Sequence, residues 1–313
     1  MPYPGVDPWR LQYFVDHPTP DGVVIPIDDS SAWELYPAHR SVYNKLLICE
    51  TQGLPHGPHG TMPGSYPVFS KPIYNLQGMG IGGRVLRSEA DYMDARTPGH
   101  LWMPYLTGRH VSSDAALLAG EPMWWRHTTG AAGPEGTFDY WTVHAASEPA
   151  LEAYLGAWVR RNLAGFTGVV NFETIAGRII ECHLRMAEQW LDLNGPGWLA
   201  AVVALYAEGR WRFADERREG YSVVLFGAHG LRWTIPAAAV DDLRRAPGIA
   251  SIQITFVEAH EPAHHANPPG GFRLAIVNCW DLAAGFAVRE RLKALFALRP
   301  AEPEAYPPAA RIV

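Results

Sequence analysis

Two runs rich in β-branched and aromatic residues, 167–175 and 178–185, are separated by little more than Gly177. Spacing this short leaves an antiparallel hairpin as the natural pairing, because only a tight turn fits between the runs. A three-residue turn centred on Gly177 sets Glu173 opposite Glu181, and the period of two puts His183 and Arg185 on the same face. Two carboxylates, an imidazole and a guanidinium then converge. Carboxylates directly opposite one another repel, so the pair is costly without a cation; magnesium bridging them to a nucleotide phosphate removes that cost. On this basis Glu181→Gln is expected to leave stability unchanged or slightly raised, since one of two like charges is gone. A solvated sheet face of alternating polar residues accounts for the same letters.

Further strand-like runs lie at 22–27, 66–72, 111–119 and 137–144, each bounded by Gly or Pro. The clearest helix covers 149–164, where Leu151, Tyr154, Leu155, Trp158, Val159 and Leu163 recur at helical spacing, with Pro149 in the first turn and Gly165 at the stop. A helical connection is expected over 186–209. Residues 220–297 read as strands alternating with helices near 236–246 and 281–297, the second with Asp281 as candidate N-cap. The fold class is therefore α+β. The polar stretch 210–219 marks a boundary, dividing the chain into a reduced N-terminal segment (1–40), a central domain (41–209) and a small C-terminal α/β domain (210–313).

The 313 residues carry a net charge of −6 with a sequence pI near 6.1, which lacks the basic footprint of a nucleic-acid binder. The N-terminus shows no basic start followed by an apolar run, and nowhere do 18 uncharged apolar residues follow one another. Cys49, Cys182 and Cys279 are far apart and odd in number, which argues against a disulfide scaffold. The expected address is the cytoplasm, with no nucleic-acid or membrane partner.

Three other clusters carry possible chemistry. Lys71-Pro72 ends a strand and is followed by Gly78-Met79-Gly80-Ile81-Gly82-Gly83-Arg84, where backbone N–H groups can close on phosphate oxygens beside a lysine. Residues 78–83 also fit GxGxxG, but that fingerprint should open a helix and Arg84-Val85-Leu86 reads extended. An apolar segment, Leu101 to Leu106, turns at Gly108 into a strand and offers a slot for an adenine, or a plain hairpin core. His260, His264 and His265 surround Pro262 and read as surface loop histidines, as do His56 and His59.

Taken in order, these clusters resemble the ATP-grasp superfamily. Tyr43-Asn44-Lys45 before Gln52-Gly53-Leu54-Pro55 is similar to the family's first phosphate lysine and short helix, and Phe69-Ser70-Lys71-Pro72 to its lysine–proline strand. Residues 77–85 resemble the glycine loop over the β- and γ-phosphates, 102–110 the hinge under the adenine, and Glu173 with Glu181-Cys182-His183-Leu184-Arg185 the terminal magnesium strands. Gly271 to Val277 followed by a helix resembles the small C-terminal domain of the carboxylase branch. Three positions depart from the pattern: Met103-Pro104 at the hinge, His110 at the ribose glutamate and His183 at the asparagine metal ligand.

The resemblance implies an ATP-grasp fold with a reduced N-terminal pre-domain. It also implies ATP-dependent activation of a carboxylate as an acyl phosphate for attack by an amine, with small-molecule acid and amine substrates. A catalytically reduced nucleotide-binding or regulatory module is the alternative. Lys45 and Lys71 are then phosphate contacts; Gly78, Gly80, Gly82 and Gly83 form the mobile cover; and Met103, Leu106 and His110 hold the nucleoside. Glu173, Glu181 and His183 are the Mg2+ ligands, and Arg185, with Lys71, serves the transferring group. Trp124 to His127 and Gly136 to Trp141 are a candidate acceptor surface or, equally, an aromatic strand core. A homodimer is among the assemblies this leaves open.

Overall fold

The computed structural model describes residues 14, 17–76, 80–134, 137–256, 258 and 270–298. The first elements among the described residues are α1 (Asp29–Leu35) and α2 (Lys45–Glu50), bridged by a 3-10 turn, Pro37–Tyr43. Strands β1 (Gly57–Pro58), β2 (Val68–Pro72) and β3 (Arg84–Leu86), helix α3 (Glu89–Ala95) and strand β4 (His100–Pro104) follow. The strands form a small antiparallel sheet in the order β1-β4-β2-β3.

A larger sheet takes β5 (His110–Leu118), β6 (Glu121–Ala132) and β7 (Phe138–Val143). After α4 (Pro149–Asn162) it takes β8 (Gly168–Ile175) and β9 (Arg178–His183). A 3-10 turn at Leu191–Asn194 and α5 (Trp198–Glu208) lead to β10 (Gly220–Gly227). Then come β11 (Trp233–Thr234), α6 (Ala237–Arg244), β12 (Ile249–Ile254), β13 (Phe272–Cys279), α7 (Leu282–Leu295) and β14 (Ala297–Leu298). The eight-stranded order is β12-β13-β10-β7-β6-β5-β8-β9, and β11 pairs with β14 separately. The α+β class expected from the runs of short strands is the one observed.

Helix α4 lies on one face of this sheet because its apolar stripe matches the helical period: Leu155, Trp158 and Val159 pack with Ala115, Leu117, Val170 and Phe172. Helices α6 and α7 cover the same face at the other end, over Val223, Val277 and Leu274. On the opposite face α5 covers Ala116, Trp124 and Val169. Two residues further along β8 that second face turns polar, at Asn171 and then Glu173. The site lies there, where the small sheet and α2 meet β9.

Two expectations change. Residues 23–27 are not a strand; they carry no sheet partner among the described residues, yet Ile25 and Ile27 are wholly buried beside α5. Trp124 and Trp125, read as an acceptor surface or an aromatic strand core, are strand core: they lie in β6 and enter opposite cores, so no apolar–polar alternation survives. Segment 210–219 is extended, with Trp211 and Phe213 packed on Trp124, and Asp215 paired to Arg126 at 2.6 Å.

Candidate active site

The β8–β9 hairpin has the predicted register by a different route. Its turn has two residues, Ala176 and Gly177, both with positive φ (50° and 74°), the geometry that suits strand twist in a tight hairpin. Ile175 therefore faces Arg178 and Thr174 faces Ile179; Ile180 is then an extra residue, and the bulge restores Glu173 opposite Glu181 and Asn171 opposite His183. The bulge also frees the Ile180 carbonyl, which accepts a hydrogen bond from Lys71 Nζ at 2.8 Å.

Lys71 reaches this point from β2 and Lys45 from the first position of α2, whose N-cap Asn44 accepts from the Leu46 N–H. Both lysines are buried, and their Nζ atoms lie 3.9 and 3.5 Å from Glu181 Oε1. His183 Nε2 lies 3.5 Å from the other oxygen of Glu181. Burial would raise the Glu181 carboxyl, but His183, Lys45 and Lys71 together hold it well below the usual carboxylate range. Burial brings Lys71 down to about 8, against the pull of Glu181.

The segment expected to be either a slot or a hairpin core packs as an apolar cluster beside Lys71. Met103 is buried beside Leu101 and Cys49, and Leu106, Phe69, Ile73 and Ile180 pack against them from both sheets. Gly80, Gly82 and Gly83 form the end of the loop between β2 and β3, while Gly78 lies outside the described residues. Gly82 has φ 76°, and a Cβ on Gly83 would stand 2.9 Å from Phe69, so both positions favour glycine as the loop packs back on β2. A strand, β3, follows the loop, as Arg84-Val85-Leu86 suggested, and not a dinucleotide helix.

His110 does not open into the slot as a free group: its Nε2 lies 2.5 Å from Glu173 Oε2. Burial opposes the charged ring, but Glu173 raises the His110 pKa above its ordinary value. Phe138 and Trp141 stand beside the ring, each 6.2 Å from it. Of the candidate acceptor surface, these two residues border the site. Trp124 to His127 do not, because Trp124 and Arg126 bond to Asp215 and His127 to Ser113 and Glu152 inside the fold.

Glu173 and Glu181 present oxygen donors from adjacent paired positions, a chemistry that suits magnesium. His183 does not fit as a third ligand. Its Nδ1 is 3.0 Å from Asp29 Oδ2, its other nitrogen faces Glu181, and Asp29 lifts the pKa to about 9 against the effect of burial. An imidazole that keeps its proton has no lone pair for a metal. Among the described residues no group of three His, Cys, Asp or Glu side chains forms a metal cage.

Asp29 itself was missed by sequence reasoning. It lies 156 residues before Arg185, whose Nη2 donates to its Oδ2 at 3.1 Å, and no local signal links the two. Burial would raise the Asp29 carboxyl, but Arg185 and His183 hold it well below the usual range. The loop histidines divide: His59 is tied to Ser70 and to the Thr97 N–H, His56 to the Leu54 carbonyl, and His260, His264 and His265 lie outside the described residues.

Asp114, two strands from Glu181, is fully enclosed and accepts from the Ala187 N–H and Asn171 Nδ2 at 2.9 and 3.0 Å. Burial outweighs these bonds and pushes its pKa up to about 7. The folded value exceeds the unfolded one, so its contribution is whole below about pH 4 and is lost as pH rises through 7. Asp114→Asn should abolish that loss. Urea unfolding should give a stability advantage of the variant over wild type that grows from pH 4 to pH 8, reaching about 4 kcal/mol at most; a difference independent of pH would contradict it.

Cys49, Cys182 and Cys279 are free and buried, and no helix among the described residues is long and apolar enough to cross a membrane. No protein-family model and no curated protein sequence matches the chain. Solved structures do. An L-amino acid ligase from Bacillus licheniformis aligns at TM-score 0.61 and 13% identity over 94% of this chain and 84% of its own. Phosphoribosylamine–glycine ligase from Thermotoga maritima aligns at 0.62 and 14%, over 90% and 84%. The biotin carboxylase domain of a Hydrogenobacter thermophilus 2-oxoglutarate carboxylase, solved with MgADP and bicarbonate, aligns at 0.57 and 14%, over 95% and 74%. A glycine loop between paired strands, an apolar cluster between two sheets and a terminal carboxylate hairpin occur here in one order, and with these superpositions they identify the fold of this chain as ATP-grasp.

Proposed function

We propose that the protein is an ATP-dependent ligase that converts a carboxylic acid to an acyl phosphate and passes the acyl group to an amine. The observation that carries this reading is the meeting of Lys45, Lys71 and Glu181 beside the apolar Met103–Leu106–Ile180 cluster, with Glu173 on the paired strand and Arg185 two residues past the end of β9. Residues 41–209 are read as the nucleotide-binding part and 210–313 as the accessory part. The solved neighbours include ligases and a carboxylase, one of them in complex with ATP and another with MgADP.

In this reading the adenine enters the slot and the triphosphate displaces Glu181 as the partner of Lys45 and Lys71, under the cover of Gly80, Gly82 and Gly83. Magnesium held between Glu173, Glu181 and the phosphates would neutralise charge there. Arg185 steadies the transferring group while an oxygen of the acid attacks the γ-phosphorus and ADP departs. The amine nitrogen then attacks the carbonyl carbon, losing a proton as inorganic phosphate leaves. Positioning and charge neutralisation suffice for such transfer. Phe138 and Trp141, beside His110, are the apolar wall available to an acceptor.

A second reading is favoured by His183, which is bound to Asp29 and is no metal ligand: the site holds a nucleotide without turnover. Calorimetry with ATP, with and without magnesium, followed by an ADP and phosphate assay over a panel of acids and amines, separates them. The ligase predicts magnesium-dependent binding and ADP release that requires both an acid and an amine. Binding without release under any pair supports the second reading, and absence of ATP binding sinks both.

A further inference from the structure

Strand β9 ends at His183, so the sheet ladder no longer holds the chain where Arg185 stands. Within residue 185, one guanidinium contact is local: Nη1 donates to the Met186 carbonyl at 3.2 Å. The other anchor comes from the N-terminal segment. Asp29, 3% exposed, accepts from Arg185 Nη2 at 3.1 Å, from His183 Nδ1 at 3.1 and 3.0 Å, and from Tyr43 Oη at 3.1 Å. Tyr43 Oη in turn accepts the Leu184 N–H at 3.1 Å. Residues 183, 184 and 185 are thus all tied, directly or through Tyr43, to one enclosed carboxylate from α1.

Charge matters here as well as geometry. Arg185 is a cation withdrawn from water, and it would be costly to bury without a counter-ion. Arg185 would regain the rotamer freedom that a long side chain loses only when held at both edges.

We propose that Asp29 is a positioning residue: it holds Arg185 from behind, directly and through Tyr43 and the Leu184 N–H, so that the guanidinium faces the transferring phosphoryl group. The N-terminal segment then completes the active site. This role rests on the ligase reading, since it gives Arg185 a phosphoryl group to face.

The test uses inorganic phosphate as the probe, bound to the full chain in the presence of saturating MgADP, with MgADP affinity measured separately. Arg185→Ala should weaken phosphate about tenfold or more, as expected for loss of a charged hydrogen bond. Asp29→Asn, which keeps shape and loses charge, should weaken phosphate about tenfold while MgADP affinity changes less than about twofold. In the Arg185→Ala background, Asp29→Asn should add less than about a twofold further loss, because both act through one side chain. Tyr43→Phe removes one donor without changing charge; it should cost phosphate a few-fold, and it decides the matter if Asp29→Asn does not fold.

Wild-type phosphate affinity in folded Asp29→Asn, or in Tyr43→Phe when only that variant folds, would overturn the role. So would an equal loss of MgADP and phosphate, which indicates a structural residue, or additive losses in the double variant. If wild type binds MgADP and phosphate but Arg185→Ala leaves phosphate unchanged, Arg185 is not the anchor and the positioning role falls alone. If wild type binds no MgADP, the ligase reading falls and takes this role with it.

Discussion

Glu181→Gln should destabilise the nucleotide-free protein by about 3–5 kcal/mol, the usual cost of removing one partner from a buried ion pair. The side chain is mostly enclosed, with Lys45 and Lys71 on one oxygen and His183 on the other. Glutamine fills the same space but leaves Lys45 and Lys71 without their counter-charge and His183 with Asp29 alone. This reverses the expectation from the hairpin alone, where the neighbouring charge in view was the like charge of Glu173. Repulsion across the ladder is real, but three cations at 3.5 to 3.9 Å outweigh one carboxylate that is itself paired to His110. Binding separates this cage from a plain structural ion pair. A triphosphate supplies the missing negative charge, so ATP affinity in EDTA should be unchanged or higher in the variant, while the gain on adding magnesium should disappear. Urea unfolding without nucleotide, and calorimetry with and without magnesium, give the three numbers. A variant as stable as wild type would show that the cage does not hold the empty site together.

Lys71→Ala should weaken ATP about tenfold or more, corresponding to about 1.5–3 kcal/mol for a charged contact, with a much smaller effect on stability. The two effects separate because the buried ammonium is expensive in the empty protein. Its pKa is brought down to about 8 by the apolar slot, so removing it relieves a desolvation cost. The loss on the other side is one hydrogen bond to the Ile180 carbonyl and one of three cations around Glu181. These terms oppose each other and nearly cancel. Phosphate binding has no such compensation. Unchanged ATP affinity in a folded Lys71→Ala protein would remove the phosphate role from this lysine and weaken the ligase reading with it.

The hairpin was legible in the sequence because a turn residue and a period of two act over a dozen neighbouring residues. That was enough to set Glu173 against Glu181 and to put His183 and Arg185 on their face. Helices α4 and α7 were legible for the same kind of reason, an apolar stripe in one and the Asp281 cap in the other, which accepts from the Ala284 N–H. The bulge at Ile180 was not legible. A two-residue turn plus one bulged residue and a three-residue turn give the same register downstream, and only packing chooses between them.

What the tertiary structure alone decided is the electrostatic company each charged residue keeps. A sequence lists charges but not the distances between them, and the Coulomb term depends on distance and on burial together. Lys45, Lys71 and Glu181 are brought within 4 Å by three separate elements, and Asp29 reaches His183 across 154 residues. Those contacts turn a pair of repelling glutamates into a cation-caged one, and His183 from an expected metal ligand into a charge held by Asp29. Local pattern determined which residues share a strand face; which charge stabilises which other charge was settled only when distant segments folded together.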